Sequence, residues 1–270
     1  NTSFIHQLNK KNTNAETLFQ SPLAKLHKIH HNQIQKPENI FPDRKNSMGI
    51  DITEEKNIES LSNLKDIQNV KPASIVNGND KITTITANII SPYDKTRSLG
   101  KAYYADEKII IEAIESLNLF SKEWKNSQLN KRLEIVNKFA DLLENNYHLL
   151  VSCCVKEAGK TINDSLADIR EAIDFCRYYA VEAEKIFLEQ NLPGPTGEKN
   201  IYKFKARGLT CVISPWNFPI AIFVGQMIAA LICGNVTIAK PAEQTSNLSY
   251  IIFKLLLKAG LPQNAAALIL

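Results

Sequence analysis

The spacing of hydrophobic residues predicts a regular succession of strands and helices from about residue 82 onward. Alternating β-branched residues predict strands over 82–90 and 99–104, joined by a turn at Ser91-Pro92-Tyr93-Asp94. A helix is then expected from its cap, Asp106, to about Trp124. Its expected buried face consists of Ile109, Ile110, Ala113, Ile114 and Leu117.

Two longer amphipathic helices follow in the pattern. They are predicted over about 129–154 and 163–187, and Leu192-Pro193-Gly194-Pro195 breaks the second pattern. Residues 200–205 alternate polar and apolar side chains, which is typical of an exposed strand. Together these elements predict a mostly helical region before residue 209.

The last 62 residues show a different pattern, with short buried-type strands that alternate with apolar helices. Strands are predicted over 209–214, 236–239 and 265–270, and helices over 220–233 and 246–259. This β-α-β-α-β order is that of a parallel sheet with crossover helices. The predicted fold class is α/β, with an incomplete Rossmann-like parallel sheet preceded by the helical region and a poorly structured N-terminal arm.

Composition changes along the chain and suggests how it is organised. Apolar residues make up 30% of residues 1–80 and about half of residues 81–270. We therefore expect an arm or linker at 1–80, a hairpin and helical part at 81–208, and a sheet core at 209–270. His27, His30 and His31 lie in the arm. A solvated surface is favoured there over a metal site, because no cysteine or carboxylate cluster completes one.

Charge and cysteine content exclude several classes of protein. The net charge of +4 comes from scattered lysines rather than a basic stripe, so no nucleic-acid partner is expected. The five cysteines form no C-x-x-C motif and no secretory signal opens the chain, which predicts reduced thiols in a cytoplasmic protein. Residues 208–239 carry no charge, but their unbroken apolar run is about 14 residues, too short for the roughly 20 of a membrane span.

Two polar clusters follow the first two strands of the predicted sheet, where open parallel sheets bind ligands. The first is Ser214-Pro215-Trp216-Asn217-Phe218-Pro219. The Asn217 amide, held between two prolines, is suited to donate to a developing oxyanion. The alternative is that Asn217 only caps the helix that begins near Pro219.

The second cluster is Lys240-Pro241-Ala242-Glu243. An acidic residue after the second strand of a nucleotide-binding β-α-β unit takes the ribose hydroxyls, and Lys240 could bind another hydroxyl or a phosphate. The alternative is a solvated loop with a surface ion pair. No G-x-G-x-x-G follows the first strand, so the ordinary dinucleotide fingerprint is absent.

In combination, the two clusters resemble the aldehyde dehydrogenase family. The matching runs are Ile213-Ser214-Pro215-Trp216-Asn217-Phe218-Pro219 and Ala239-Lys240-Pro241-Ala242-Glu243-Gln244-Thr245. The resemblance is closest to the bifunctional proline-utilisation flavoenzymes, in their Δ1-pyrroline-5-carboxylate dehydrogenase half. It extends to two further runs, Glu157-Ala158-Gly159-Lys160-Thr161 and Arg177-Tyr178-Tyr179-Ala180. The run Asn1-Thr2-Ser3-Phe4 resembles the segment just after the proline dehydrogenase barrel of the same flavoenzymes.

The resemblance implies roles for the matching residues. It implies NAD as cofactor, with Lys240 and Glu243 on the adenosine ribose. Ile213, Ser214, Pro215 and Trp216 would line the cofactor cleft. Asn217 would be the catalytic oxyanion-hole amide, and Phe218 would pack on the aliphatic part of glutamate semialdehyde. FAD is implied only for a proline dehydrogenase domain, and no metal is implied.

The same resemblance implies that the nucleophilic cysteine and general-base glutamate lie beyond Leu270. We therefore expect a fragment that is inactive alone, with a companion chain as the source of the missing half. The alternative is a non-catalytic remnant or interaction module from a decayed or split gene. We also expect the apolar third strand, 265–270, to be left unprotected and to promote self-association.

Overall fold

The computed structural model describes Ser21, residues 35–62, Ile67 and residues 70–270. The histidines at positions 27, 30 and 31 and the segment Asn1–Phe4 lie outside the described residues. Residues 37–270 form one compact unit. Their core is a single cluster of buried apolar side chains that extends through the sheet and the helices around it.

The described part of the chain contains the following helices and strands. The helices are α1 (Glu55–Ser62), α2 (Glu107–Asn126), α3 (Leu129–Asn145), α4 (Tyr147–Ala158), α5 (Ile162–Ile186), α6 (Ala221–Ile232) and α7 (Ser246–Lys258). The strands are β1 (Ser74–Val76), β2 (Asn79–Lys81), β3 (Thr86–Ile90), β4 (Ser98–Tyr103), β5 (Gln190–Leu192), β6 (Asn200–Tyr202), β7 (Leu209–Ile213), β8 (Val236–Lys240) and β9 (Ala266–Leu268). Short 3₁₀ turns span Pro37–Asn39 and Glu243–Thr245.

The predicted parallel unit is confirmed. Strands β7, β8 and β9 are parallel neighbours, and α6 and α7 connect them. The main sheet has the order β2-β1-β9-β8-β7, so β7, the first strand of the unit, lies at one edge. Helix α2 packs against β1, β7, β8 and β9.

The sheet is mixed, because β1 and β2 extend it with antiparallel strands. Ile75 in β1 pairs with Leu268 in β9, and β2 pairs with β1. A boundary at residue 80 therefore falls inside a hairpin of the main sheet. Sequence analysis did not find this hairpin because its strands have three residues each, too few for a periodic pattern.

The expected exposure of the third strand is wrong. Residues 266–268 of β9 are buried, and the strand is paired with β8 on one side and β1 on the other. The exposed position is instead in β7, where the Ile213 side chain is 68% exposed. Among the described strands, β7 and β2 form the two edges of this sheet, and β9 lies between β8 and β1.

Two further expectations need correction. The helix predicted over 129–154 is two helices, α3 and α4, which meet at Asn146. The Asn146 side-chain amide donates to the Leu142 carbonyl, and this local bond competes with helix continuation. In α2, Ala113 and Leu117 are buried as predicted, but Ile110 and Ile114 are exposed because the sheet meets a narrower face of the helix.

Side chains from neighbouring helices satisfy both ends of the charge-free helix α6. The Asp168 carboxylate of α5 accepts the Ala221 N–H at its start (2.7 Å). At its end, Trp124 Nε1 donates to the Leu231 carbonyl (3.1 Å) and Arg132 Nε donates to the Ile232 carbonyl (2.9 Å). Since helix ends leave backbone groups unpaired, these contacts explain how α6 can be buried inside the protein.

Candidate active site

The two polar clusters predicted from the sequence meet at the carboxyl ends of β7 and β8. Ile213 and Lys240 are partners in the parallel ladder, and the Ser214 N–H donates to the Lys240 carbonyl (3.2 Å). Ser214 is buried, whereas Pro215, Trp216 and Ile213 are exposed beside it. The structure therefore places the predicted cofactor-contacting residues at one edge of the sheet.

Asn217 does not cap helix α6. The helix begins at Ala221, its N-cap is Ile220, and no side chain of the cap residue bonds the first turn. Asp168 supplies the missing acceptor from another helix. The Asn217 side chain is exposed and bonds to no other described residue, so the helix-cap interpretation is wrong and the oxyanion role stays a prediction.

A cavity of about 420 Å³ lies beside the Pro215–Pro219 turn. Trp216, Asn217 and Phe218 line it from the turn, and the α4–α5 loop and the first half of α5 line it from the other side. Its carboxylates are Asp164, Asp168 and Glu171. This volume suits a small ligand, and the acidic lining favours one that carries a positive group.

The three carboxylates of this cavity have different surroundings. Asp168 is buried and bonds both the Ala221 N–H and Lys160 Nζ. Asp164 accepts from the Thr161 hydroxyl (2.8 Å) at the start of α5. Glu171 is exposed and makes no hydrogen bond or ion pair to another described residue. Of the three, Glu171 is the carboxylate available to a ligand.

A second buried carboxylate, Glu157, occupies the start of helix α7. It is 3% exposed, and its two oxygens accept the N–H groups of Asn247 (2.8 Å) and Leu248 (2.9 Å). Burial raises the pKa of Glu157 to about 8, although the two backbone hydrogen bonds act in the opposite direction. Because Glu157 and Asp168 take the N-termini of α7 and α6, neither helix start is free to bind a ligand phosphate in the usual way.

Lys240 and Glu243 lie together at the end of β8. Their side chains form an ion pair of 3.7 Å, and both are exposed. A hydrogen bond from its own backbone N–H, followed by the charge of Lys240, lowers the pKa of Glu243. Glu243 therefore stays an ionised acceptor at neutral pH, as binding of ribose hydroxyls requires.

All five cysteines are free, and four of them lie in surroundings that disfavour the thiolate. Burial raises the pKa of Cys153, Cys154 and Cys176, and it raises the pKa of the half-buried Cys233 as well. Cys211 is exposed on β7. Reactive cysteines have lowered pKa values, so these four are packing residues.

Sequence reasoning did not assign the two buried carboxylates. Glu157 and Lys160 were noted only as part of a run that resembles the family, without a role, and no role was predicted for Asp168. A signal was available for Asp168, since it lies on the apolar face of α5 between Ser165 and Ile169, which are also buried. A charged residue at a buried helical position needs a partner, and here the partners are the α6 N-terminus and Lys160.

Two classes of site are not found among the described residues. No group of three or more His, Cys, Asp or Glu side chains there could hold a metal ion. No helix in the same part of the chain has the length and apolarity needed to cross a bilayer. The apolar run at 220–233 corresponds to the buried helix α6, which has 12 residues.

Comparison with known families places most of the chain in one of them. The model of the aldehyde dehydrogenase family matches residues 80–270. The matched segment contains the β7 and β8 clusters, the cavity and both buried carboxylates.

Two bacterial proteins illustrate the similarity in sequence. The 1-pyrroline-5-carboxylate dehydrogenase of Staphylococcus saprophyticus is 33% identical over 223 residues, which is 81% of this chain and 43% of that protein. The bifunctional protein PutA of Salmonella typhimurium is 30% identical over 281 residues, covering all of this chain and 20% of that protein. The chain thus spans less than half the length of these relatives.

A solved structure of similar fold contains the cofactor that the family resemblance implies. The crystal structure of a 1-pyrroline-5-carboxylate dehydrogenase from Thermus with bound NAD superposes with a TM-score of 0.79 at 27% identity. The match covers 86% of this chain and 46% of that one.

Proposed function

Because the chain belongs to the aldehyde dehydrogenase family, we propose that its residues form part of an NAD-dependent enzyme of proline catabolism. The reaction would be the oxidation of glutamate semialdehyde, the open form of Δ1-pyrroline-5-carboxylate, to glutamate. The main supporting observation is that the Asn217 turn and the Lys240–Glu243 pair meet at the carboxyl edge of β7 and β8. Relatives named for this activity support the choice of substrate.

The cavity beside Asn217 supports an amino-acid aldehyde as the substrate class. The Asn217 carboxamide, which bonds to no other described residue, would donate to the aldehyde oxygen as negative charge develops there. Phe218 lines the same cavity and would contact the aliphatic carbons. Glu171, also on its lining, would face the ammonium group of the amino acid.

The residues at the end of β8 fit the adenosine end of NAD. Glu243 is an ionised acceptor for ribose hydroxyls, and Lys240 is a donor beside it. The Ser214 hydroxyl is buried at the end of β7 with no hydrogen-bond partner among the described residues, so it is free to bond a ligand. Exposed Ile213 and Trp216 add apolar surface. When bound, NAD would supply the hydride acceptor.

The cofactor pyrophosphate would bind elsewhere. Glu157 and Asp168 already accept the first N–H groups of α7 and α6. With these N–H groups already occupied, the two helix starts would not provide the usual phosphate site of a dinucleotide. This agrees with the absence of G-x-G-x-x-G after β7.

In this proposal the nucleophilic thiolate and the general base lie outside these 270 residues. A polypeptide restricted to them would position aldehyde and cofactor without turning them over. The residues for the remaining steps would come from a companion segment, and the open edge of β7 offers a place for it. Ser214 N–H bonds Lys240 and Val236 N–H bonds Gly208, so the backbone groups of Leu209, Cys211 and Ile213 face away from β8.

The test compares two single variants, each made in an enzyme that contains these residues together with a complete set of catalytic groups. Asn217→Ala should lower kcat by roughly a hundredfold or more, the usual cost of one oxyanion donor, with little change in KM for NAD. Glu243→Gln should raise KM for NAD and leave kcat nearly unchanged. If Asn217→Ala leaves kcat intact, or if Glu243→Gln changes only the melting temperature, the proposed roles are wrong.

A further inference from the structure

The backbone of Lys160 is fixed between two helix ends. Helix α4 ends at Ala158, and its C-cap residue Gly159 has a left-handed φ of +69°. The Lys160 N–H then donates to the Cys154 carbonyl (3.1 Å). Thr161 then caps α5 by accepting the Asp164 N–H (3.1 Å). Because the backbone is fixed on both sides of Lys160, the direction in which its side chain leaves the backbone is fixed as well.

The Lys160 ammonium group contacts three groups. Its Nζ lies 3.0 Å from Asp168 Oδ2 and donates to the Asn217 carbonyl at 3.1 Å. The same nitrogen is 4.9 Å from the centre of the Phe218 ring, within the range of a cation–π contact. Among the described residues that line the cavity beside Asn217, Lys160 is the only lysine or arginine.

This ion pair differs from an ordinary surface pair. The Lys160 side chain is 13% exposed and that of Asp168 is fully buried. The second oxygen of Asp168 accepts the Ala221 N–H, so one carboxylate is joined both to Lys160 and to the start of α6. Exposed pairs contribute little because water screens them, whereas a buried and fully bonded pair holds its geometry.

The contacts of Lys160 and Asp168 hold the backbone at two points, Asn217 and Ala221. Lys160 bonds the carbonyl of Asn217, and Asp168 bonds the amide of Ala221 four residues later. Pro215 and Pro219 restrict φ at two further positions. Between these restraints, the peptide plane that follows Asn217 has little freedom to rotate.

We propose that Lys160 and Asp168 are positioning residues that hold the Pro215–Pro219 turn and thereby orient the Asn217 carboxamide before substrate binds. Electrostatic stabilisation of a transition state depends on donors that are already in place. The inference rests on the proposed function for its catalytic meaning. The mechanical part, an ordered turn that depends on Lys160 and Asp168, can be measured without turnover.

The experiment uses NMR relaxation of the full chain and of a double variant, Lys160→Met with Asp168→Asn. The double variant removes the ion pair without leaving an uncompensated buried charge. The amide oxygen introduced at position 168 can still accept the Ala221 N–H. Backbone order parameters of Trp216, Asn217 and Phe218 should fall from about 0.85, the value for a rigid backbone, to below about 0.6.

Two controls separate a local effect from general damage. Lys199→Met changes an exposed lysine and should leave the order parameters of the turn at their wild-type values. Lys160→Arg keeps a cation with several donors and should retain most of the order. Amides of β8 and α6 should keep their wild-type order in the double variant.

Rigid values at residues 216–218 in the double variant would overturn the proposal. A loss of order throughout β8 and α6 would also overturn it, because the pair would then be only a structural support. The catalytic role of Asn217 is tested independently of the positioning contacts. If Asn217→Ala leaves turnover unchanged while the double variant loosens the turn, the proposed function is wrong and the positioning contacts stand.

Discussion

The buried carboxylate of Glu157 should make the stability of the fold depend on pH, and Glu157→Gln tests this directly. Both oxygens accept N–H groups at the start of α7, and the side chain is 3% exposed. Glutamine offers only one acceptor oxygen, and its NH₂ group would face the other N–H. At pH 6 the variant should be less stable by about 1–3 kcal/mol, the cost of a buried group left without a partner.

The magnitude of the pH effect follows from the raised pKa. In the folded state the pKa is about 8, whereas the ordinary value for a glutamate side chain is 4.5. Because the folded state binds this proton more tightly, the associated stability is complete below pH 4.5 and is lost as pH rises towards 8. One pKa unit corresponds to about 1.4 kcal/mol, so the wild type should lose about 2 kcal/mol relative to the variant between pH 6 and pH 8.

The assay is urea unfolding of both proteins at pH 6, 7 and 8, with the m-values required to agree. Glu198→Gln, at an exposed position, is the matched control, and its difference from wild type should not change with pH. The stability difference between wild type and Glu157→Gln should shrink as pH rises. A constant difference would mean that Glu157 is ionised throughout this range. A difference that grows with pH would mean that folding lowers the pKa of Glu157 instead of raising it.

Two further changes test the backbone at Gly159 and the open edge of the sheet. Gly159→Ala places a Cβ 2.9 Å from Pro92 Cγ at a φ of +69°, so it should lower stability by about 1–2 kcal/mol, measured by thermal unfolding. Gly197→Ala is the control, because it also has a positive φ (+93°) but its added Cβ would have no atom within 4 Å. Equal losses of stability in the two variants would show that the contact with Pro92 contributes nothing. Ile213→Lys adds charge at the β7 edge and should reduce self-association in size-exclusion chromatography with light scattering. An unchanged mass distribution would show that β7 does not mediate association.

Local pattern was sufficient for most elements of this fold. Asp106 caps α2 as predicted, with its carboxylate accepting the Ile109 N–H (3.0 Å). The alternation of strands and helices after residue 208 predicted β7, α6, β8, α7 and β9 in the right order. These elements are long or strongly apolar, so their period is visible without knowledge of neighbours.

The positions of the candidate site residues were predicted for the same reason. Asn217, Lys240 and Glu243 follow predicted strands directly, and the parallel arrangement of β7 and β8 brings them to one edge. Glu157 and Asp168 accept N–H groups of Asn247 and Ala221, which lie 90 and 53 residues away from them in the chain. No local pattern indicates which helix start a distant carboxylate will meet.

The sequence by itself thus determined the α/β class, the parallel unit and the polar clusters at its carboxyl edge, because these follow from periodicity and from what comes directly after each strand. Only the tertiary structure decided that β1 pairs with β9, that β7 is one edge strand of the described sheet, and that Asp168 rather than Asn217 occupies the start of α6. Each of these depends on pairing between segments far apart in the chain, such as Ile75 with Leu268 and Asp168 with Ala221. Such pairings are chosen by burial and hydrogen-bond satisfaction in the whole fold, and local spacing does not encode them.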